Sequence, residues 1–195
     1  MHDESDSSHI TRRTVIASAT FIPLAALTAA AQGPATALSP GELKTLEAFI
    51  DRLVPKDENG PGAVECGAGN YIDRALAGAL AAEKGAFLEG LAGVDTLSRS
   101  THNAAFADLS PEIRDELLTS MDSGSAAGFP NARGFFNRAR RLTLEGMFSD
   151  PYYGGNKSFA GWDLIRYPGP RLAVAPEDQK MSTPAKPYRR SAYGR

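Results

Sequence analysis

The residues best suited to metal or redox chemistry are scarce in this chain of 195 residues. Cys66 is its only cysteine, and His2, His9 and His102 are its only histidines. A single cysteine excludes an internal disulfide, and it excludes a cysteine-based zinc or iron–sulfur site built from this chain alone. Three histidines leave little material for a histidine-rich metal site.

Motifs for nucleotide, haem or nucleophile chemistry are also missing from the sequence. The glycine pairs Gly60–Gly62 and Gly67–Gly69 lack the spacing and the strand–helix context of a dinucleotide-binding fingerprint. No Cys-x-x-Cys-His motif and no Gly-x-Ser-x-Gly motif is present. We interpret His102 as a solvated loop residue, and Glu145 as a helix-face carboxylate paired with Arg141. The sequence therefore predicts no catalytic, cofactor-binding or metal-binding residue in this chain.

The first 31 residues have the organisation of an export signal. Arg12 and Arg13 precede a stretch without charged residues, which runs from Thr14 to Gly41. Ala29 and Ala31 fit the −3 and −1 positions of a signal-peptidase cleavage site. Paired arginines before a mildly apolar segment are typical of a twin-arginine (Tat) signal. A general secretion signal and an uncleaved membrane anchor are the alternatives.

Tat export carries folded proteins, which commonly hold a cofactor that they acquire in the cytoplasm. Since this chain offers no cofactor site, we expect the signal to serve a cofactor-containing partner that is exported with it. An unpaired cysteine in an exported protein is either a free thiol or a bond to another chain. We therefore leave two interpretations of Cys66 open, a partly buried thiol and an intersubunit disulfide.

The net charge of −2 is the sum of two regions of opposite sign. Residues 32–130 hold 7 basic and 15 acidic side chains, whereas residues 131–195 hold 12 basic and 5 acidic ones. A basic region can dock on an acidic partner or on anionic lipid, or it can form an ordinary solvated tail. Nucleic acid is not expected as the partner of an exported protein.

Helical periodicity accounts for most of the chain between residues 39 and 150. Ser39, Pro40 and Glu42 form a helix start with a capping box, and Pro55 ends that helix. Apolar residues at helical spacing predict further helices over 70–82, 83–98, 111–124 and 131–148. No segment shows convincing period-two alternation. The predicted fold class is all-α, a small helical domain over residues 32–170.

The chain changes character after Pro151. The region up to residue 170 is rich in glycine and aromatic residues and is predicted to be a loop region. Residues 171–195 are predicted to form a basic, flexible tail, because they contain three prolines and little to bury.

Two segments of this region resemble a known family. The first is TLEGMFSDPYYGGN, from Thr143 to Asn156, and the second is GWDLIRYPG, from Gly161 to Gly169. Together with the Tat-like start and the helix that ends in IDRLVP, they resemble the gluconate 2-dehydrogenase subunit 3 family. Arg166 departs from the family's pattern, in which glycine is often found.

The resemblance implies a small helical subunit without a redox centre. Such subunits bind a large flavoprotein dehydrogenase of the glucose–methanol–choline type, which holds FAD and lacks its own export signal. A cytochrome c subunit, with haem c, usually anchors the complex to the membrane. We therefore expect a chain that escorts and stabilises a flavoprotein oxidising a sugar, sugar acid or polyol in the periplasm. The alternatives are an independently acting exported helical enzyme and a membrane-held adaptor.

The motif residues are interpreted as the interface with this partner. Glycine permits positive φ and close backbone approach, and tyrosine and tryptophan dominate interface energies. The predicted interface residues are Asp150, Pro151, Tyr153, Gly154, Gly155, Asn156, Trp162, Pro168 and Gly169. For Trp162, packing against the chain's own helices is the alternative.

Overall fold

The structure, a computed structural model, describes residues 36–171, 173–180, 182 and 185–194. The signal residues Arg12, Arg13, Ala29 and Ala31 lie outside the described residues. The helices are α1 (Pro40–Leu53), α2 (Ala68–Ala77), α3 (Lys84–His102), α4 (Pro111–Ser123), α5 (Ala132–Phe148) and α6 (Ala160–Leu164). No strand occurs in these described ranges, which confirms the all-α fold class.

Helices α1 and α4 begin at the capping residues that the sequence predicts, Ser39 and Ser110. The amide of Ser39 donates to the Glu42 carboxylate over 2.7 Å, and the Glu42 amide donates to the Ser39 hydroxyl over 3.4 Å. These reciprocal bonds form the predicted capping box of α1. Ser110 caps α4 by accepting from the amide of Ile113, without a reciprocal bond, and Gly124 ends α4 in the left-handed conformation with φ 78°.

Two predicted helix ends differ from the structure. The helix expected over 70–82 ends at Ala77, because Gly78 leaves helical geometry with φ −131° and ψ −99°. Helix α3 continues past residue 98 to His102, and it ends only where Asn103 adopts φ 57°. His102 therefore lies in the last helical turn and is half-buried, so its predicted place in a loop is wrong.

Helix α5 is the centre of the fold. It packs against α1, α2, α3, α4 and α6. Phe135 of α5 meets Phe49 of α1 edge-on, with ring centroids 5.7 Å apart, and Phe87 of α3 at 5.3 Å. Phe49 also contacts Phe106, which is fully buried. These rings form a core that fixes the N-terminal end of α5 relative to the other helices.

Two features are absent from the described residues. None of the described helices is long and apolar enough to cross a lipid bilayer. Among the same residues, no cluster of three or more His, Cys, Asp or Glu side chains could hold a metal ion.

The last described residues, 185–194, lie against the segment 150–169. Ser191 is buried, and the amide of Ala192 donates to the Asp150 carboxylate over 2.8 Å. Arg189 donates to the Asp163 carboxylate over 2.7 Å. The tail thus makes specific polar contacts, whereas the sequence predicts a flexible segment with little to bury. Hydrogen bonds and an ion pair, which apolar patterning does not reveal, hold this part of the chain.

Candidate partner-docking site

The segment after α5 donates hydrogen bonds to the C-terminal end of that helix. The last carbonyl groups of a helix have no partner within it and need donors from elsewhere. The backbone amide of Asn156 donates to the Gly146 carbonyl over 2.8 Å, and its side-chain amide donates to the Ser149 carbonyl over 2.9 Å. The indole nitrogen of Trp162 donates to the Phe148 carbonyl over 2.8 Å. The motif residues therefore cap the C-terminal end of α5.

Asn156 also orders the chain that follows it. Its Oδ1 accepts hydrogen bonds from the amides of Gly161, over 2.9 Å, and Trp162, over 3.3 Å. The residue is fully buried and adopts the left-handed region with φ 45°, which asparagine tolerates better than most residues. One buried side chain thus ties the end of α5 to the first turn of α6.

Two glycines allow this close approach. A Cβ at Gly155 would overlap the carbonyl group of Gly146, and a Cβ at Gly161 would overlap the carbonyl oxygen of Met147. Both obstacles are backbone atoms of α5, which cannot move aside as a flexible side chain can. The glycines are therefore required by contact between backbones of the same chain.

Trp162 lies in the core rather than on the surface. Its side chain is 6% exposed and packs between Phe159, at 5.4 Å, and Tyr167, at 5.0 Å between ring centroids. Contacts within the chain's own fold explain the presence of Gly155, Asn156 and Trp162 in this segment. We therefore assign a folding role to these three residues, because each is buried within this chain's own fold.

The tyrosines of the motif have the opposite exposure. Tyr152 is 45% exposed and Tyr153 is 44% exposed, and Ile165 and Tyr167 are also exposed. Large exposed aromatic side chains in contact with one another are typical of protein–protein interfaces. Tyr153 therefore keeps its place as an interface candidate, and Tyr152, Ile165 and Tyr167 join it.

Four of the remaining interface candidates shape the backbone that carries these exposed side chains: Pro151, Gly154, Pro168 and Gly169. Pro151 and Pro168 are half-buried. Gly154 adopts φ 99° and Gly169 adopts φ 93°, conformations that favour glycine. Their roles are to set the backbone from which the exposed tyrosines project.

Asp150 joins the motif to the tail. Its carboxylate accepts from the amides of Tyr152, over 2.9 Å, and Ala192, over 2.8 Å. Burial alone would raise the pKa of Asp150, but hydrogen bonds from the Ser191 hydroxyl and these two amides outweigh burial and hold that pKa below its usual value. Asp150 is therefore a charged anchor for the tail.

Arg166 has a strained backbone at the surface. Its φ is 55°, in the left-handed region that disfavours residues with a Cβ. Glycine adopts this conformation without that cost, so the turn keeps the shape that a glycine would give it.

Cys66 has no exposed surface. Its amide donates to the Gly62 carbonyl, and its carbonyl accepts from the amide of Lys157. Burial raises the pKa of the Cys66 thiol, and the charge of Glu65 raises it further. A disulfide with another chain requires a reachable thiolate, so this structure favours the free buried thiol over the intersubunit bond.

We expect Cys66 to resist thiol reagents in the folded protein and to react at once when the protein is unfolded. The measurement is the rate of colour release from an aromatic disulfide reagent, with and without urea. Equal rates in both conditions, or a cross-linked band on a non-reducing gel of the native assembly, would contradict a buried free thiol.

Glu145 is paired as the sequence predicts. Its carboxylate lies 3.3 Å from the Arg141 guanidinium and accepts from the Tyr71 hydroxyl over 3.1 Å. The charge of Glu145 adds to burial in raising the pKa of Tyr71. The carboxylate is thus engaged in ordinary helix–helix contacts.

Comparison with known proteins gives one match. The family model described as gluconate 2-dehydrogenase subunit 3 matches residues 40–169, which is most of the chain. Neither the curated proteins nor the solved structures include one that matches. The matched range begins at the first residue of α1 and ends at Gly169, so it covers all six helices of the described residues. The chain therefore belongs to the gluconate 2-dehydrogenase subunit 3 family.

Proposed function

We propose that this chain is a non-catalytic small subunit that escorts a flavoprotein dehydrogenase through the Tat route and stabilises it in the periplasm. The flavoprotein, of the glucose–methanol–choline type, holds FAD and oxidises a sugar, sugar acid or polyol. A cytochrome c subunit with haem c links the complex to the cytoplasmic membrane. In this arrangement the present chain supplies the export signal and a docking surface, and its partners supply the chemistry.

Family membership is the observation that carries this proposal. The family's name describes an accessory subunit of a dehydrogenase, so the chain is expected to act within a larger assembly. Two features of this chain support the finer statement. Arg12 and Arg13 precede an uncharged segment of the Tat type, and exposed tyrosines cluster on a motif whose other residues are committed to folding.

Replacing Arg12 and Arg13 by lysine is expected to keep the flavoprotein in the cytoplasm. Lysine preserves both charges, so the change removes the paired arginines and leaves the electrostatic character of the N-terminus intact. The measurement is flavin-dependent dehydrogenase activity in periplasmic and cytoplasmic fractions of cells that express the full chain with its flavoprotein.

The matched control replaces Arg140 and Arg141, an adjacent arginine pair in the folded domain, by lysine. This control variant should export the flavoprotein normally, because lysine can retain the ion pair to Glu145. Active enzyme in the cytoplasm of the Arg12/Arg13 variant shows that assembly is intact. If the flavoprotein reaches the periplasm equally well in both variants, the escort role is wrong.

A further inference from the structure

Exposed large apolar and aromatic side chains concentrate at one end of the sequence. Outside residues 150–194, the described chain exposes only two of them, Val64 and Leu144. The others include six that we name the docking face: Tyr152, Tyr153, Ile165, Tyr167, Tyr188 and Tyr193. Four of these residues belong to the family-matched range, and Tyr188 and Tyr193 belong to the tail beyond it.

We infer that the tail completes the docking face and that the face binds an acidic surface of the flavoprotein. The inference rests on the proposed function for the identity of the partner, and on contacts of the tail for the composition of the face. It assigns a binding role to residues that the family match does not reach.

Tyr193 is built into the tyrosine cluster of the motif. Its ring centroid lies 4.5 Å from that of Tyr152 and 5.6 Å from that of Tyr153. The hydroxyl groups of Tyr153 and Tyr193 are 2.7 Å apart and share a hydrogen bond. The three rings form one surface, although Tyr193 follows Tyr153 by 40 residues.

Backbone contacts hold the tail in this position. The amide of Tyr188 donates to the Pro168 carbonyl over 2.6 Å, and a Cβ at Gly169 would overlap the Tyr188 carbonyl oxygen. The Ala192 amide bonds to Asp150, as described above. These contacts hold the tail at Tyr188 and at Ala192. The exposed tyrosines of the tail are therefore held in position before binding, which lowers the entropy cost of binding.

The tail and the motif also share a cavity. Its volume is about 360 Å³, and its lining includes Trp162, Ile165 and Tyr167 from the motif and Ala192 from the tail. A concave site with aromatic walls beside exposed tyrosines can receive a side chain that projects from a folded partner. A lipid surface presents no fixed side chain of this kind, so the cavity favours a protein.

The charged side chains of residues 150–194 indicate the charge of the partner's surface. Residues 150–194 hold seven basic and four acidic side chains. Two acidic residues are already paired, Asp163 with Arg189 and Asp178 with Arg171. In the described part of residues 150–194, five cations are left without an ion pair: Lys157, Arg166, Lys180, Lys186 and Arg190. A complementary partner surface is therefore acidic.

The test measures the affinity of the full chain for flavoprotein released from the native complex. Replacing Tyr152 and Tyr193 together by alanine is expected to raise the dissociation constant at least about tenfold, because truncated aromatic anchors cost this much at interfaces. Removing residues 186–195 should have a similar effect, and binding to the full chain should weaken as salt rises.

The matched control is Leu144→Ala, which removes an equally exposed side chain outside the docking face. It should bind as tightly as the unaltered chain. Circular dichroism of the tyrosine variant and of Leu144→Ala should show an unchanged melting temperature, and the truncated chain should keep its helical signal at the temperature of the binding assay, so that lost binding is not lost folding.

Three results would overturn the inference. The first is unchanged affinity in both the tyrosine variant and the truncated chain, while the unaltered chain binds; the proposed function would then survive without this surface. The second is tyrosine-dependent binding to phosphatidylglycerol vesicles but not to flavoprotein, which would make the face a lipid site. The third is failure of the unaltered chain to bind flavoprotein at all, which would overturn the proposed function as well.

Discussion

Replacing Gly161 by alanine is expected to lower the free energy of unfolding by about 3 kcal/mol, the upper end of the usual cost of overpacking a core. The new methyl group would overlap the carbonyl oxygen of Met147 and would lie 3.2 Å from Oδ1 of Asn156. Both atoms are fixed, the first by α5 and the second by its hydrogen bonds to two amides. The segment would have to move away from the helix end, which would break those bonds.

Gly85→Ala is the control for this prediction. Gly85 lies in the first turn of α3, is exposed and has open space where a Cβ would stand. Alanine there should raise the free energy of unfolding by about 0.5–1 kcal/mol, since glycine is the poorer helix former. Urea unfolding followed by circular dichroism compares the two variants. Equal midpoints would show that the close approach at Gly161 is not required for stability.

The helices were predictable because their signals are local. Ser39 and Glu42 are three residues apart and cap the same helix, and Ser110 with Pro111 begins α4 in the same way. Such signals act within one turn and need no knowledge of the fold. The ends that differ, at Gly78 and Asn103, depend on the backbone conformation of a single residue, which periodicity does not specify.

The division of the motif between folding and docking could not be read from residue types. Tryptophan, asparagine and glycine suit an interface and a helix cap equally well. The deciding contacts join Phe148 to Trp162 and Gly146 to Asn156, and they exist only after the chain turns back across the end of α5. The sequence therefore singled out the segment, but only the structure separates the residues that cap α5 from the residues that are exposed.

The tail was the least predictable part for the same reason. Tyr188 and Tyr193 were the available signal, since aromatic residues are unusual in a solvated basic tail. Their neighbours in space, Pro168 and Tyr153, are 20 and 40 residues away in the chain. A segment that buries little apolar area can still be positioned by hydrogen bonds to a well-formed core.

Asn156→Ala is expected to lower the free energy of unfolding by about 3 kcal/mol, because it removes buried hydrogen bonds that each contribute about 1 kcal/mol. The Ser149 carbonyl would lose its donor, and the amides of Gly161 and Trp162 would lose their acceptor. Alanine would also be held at φ 45°, a conformation that disfavours it. The measurement is again the free energy of unfolding in urea.

Asn156→Gly separates these two causes. Glycine loses the same side-chain hydrogen bonds but adopts the left-handed conformation freely, so it should be more stable than the alanine variant by about 1 kcal/mol. Both variants should also weaken binding through the docking face. Tyr152 and Tyr153 lie between the end of α5 and Asn156, so their position depends on the bonds that Asn156 makes. A variant that lost the side chain of Asn156 yet kept full stability would mean that water replaces its hydrogen bonds, and that the helix cap does not position the tyrosines.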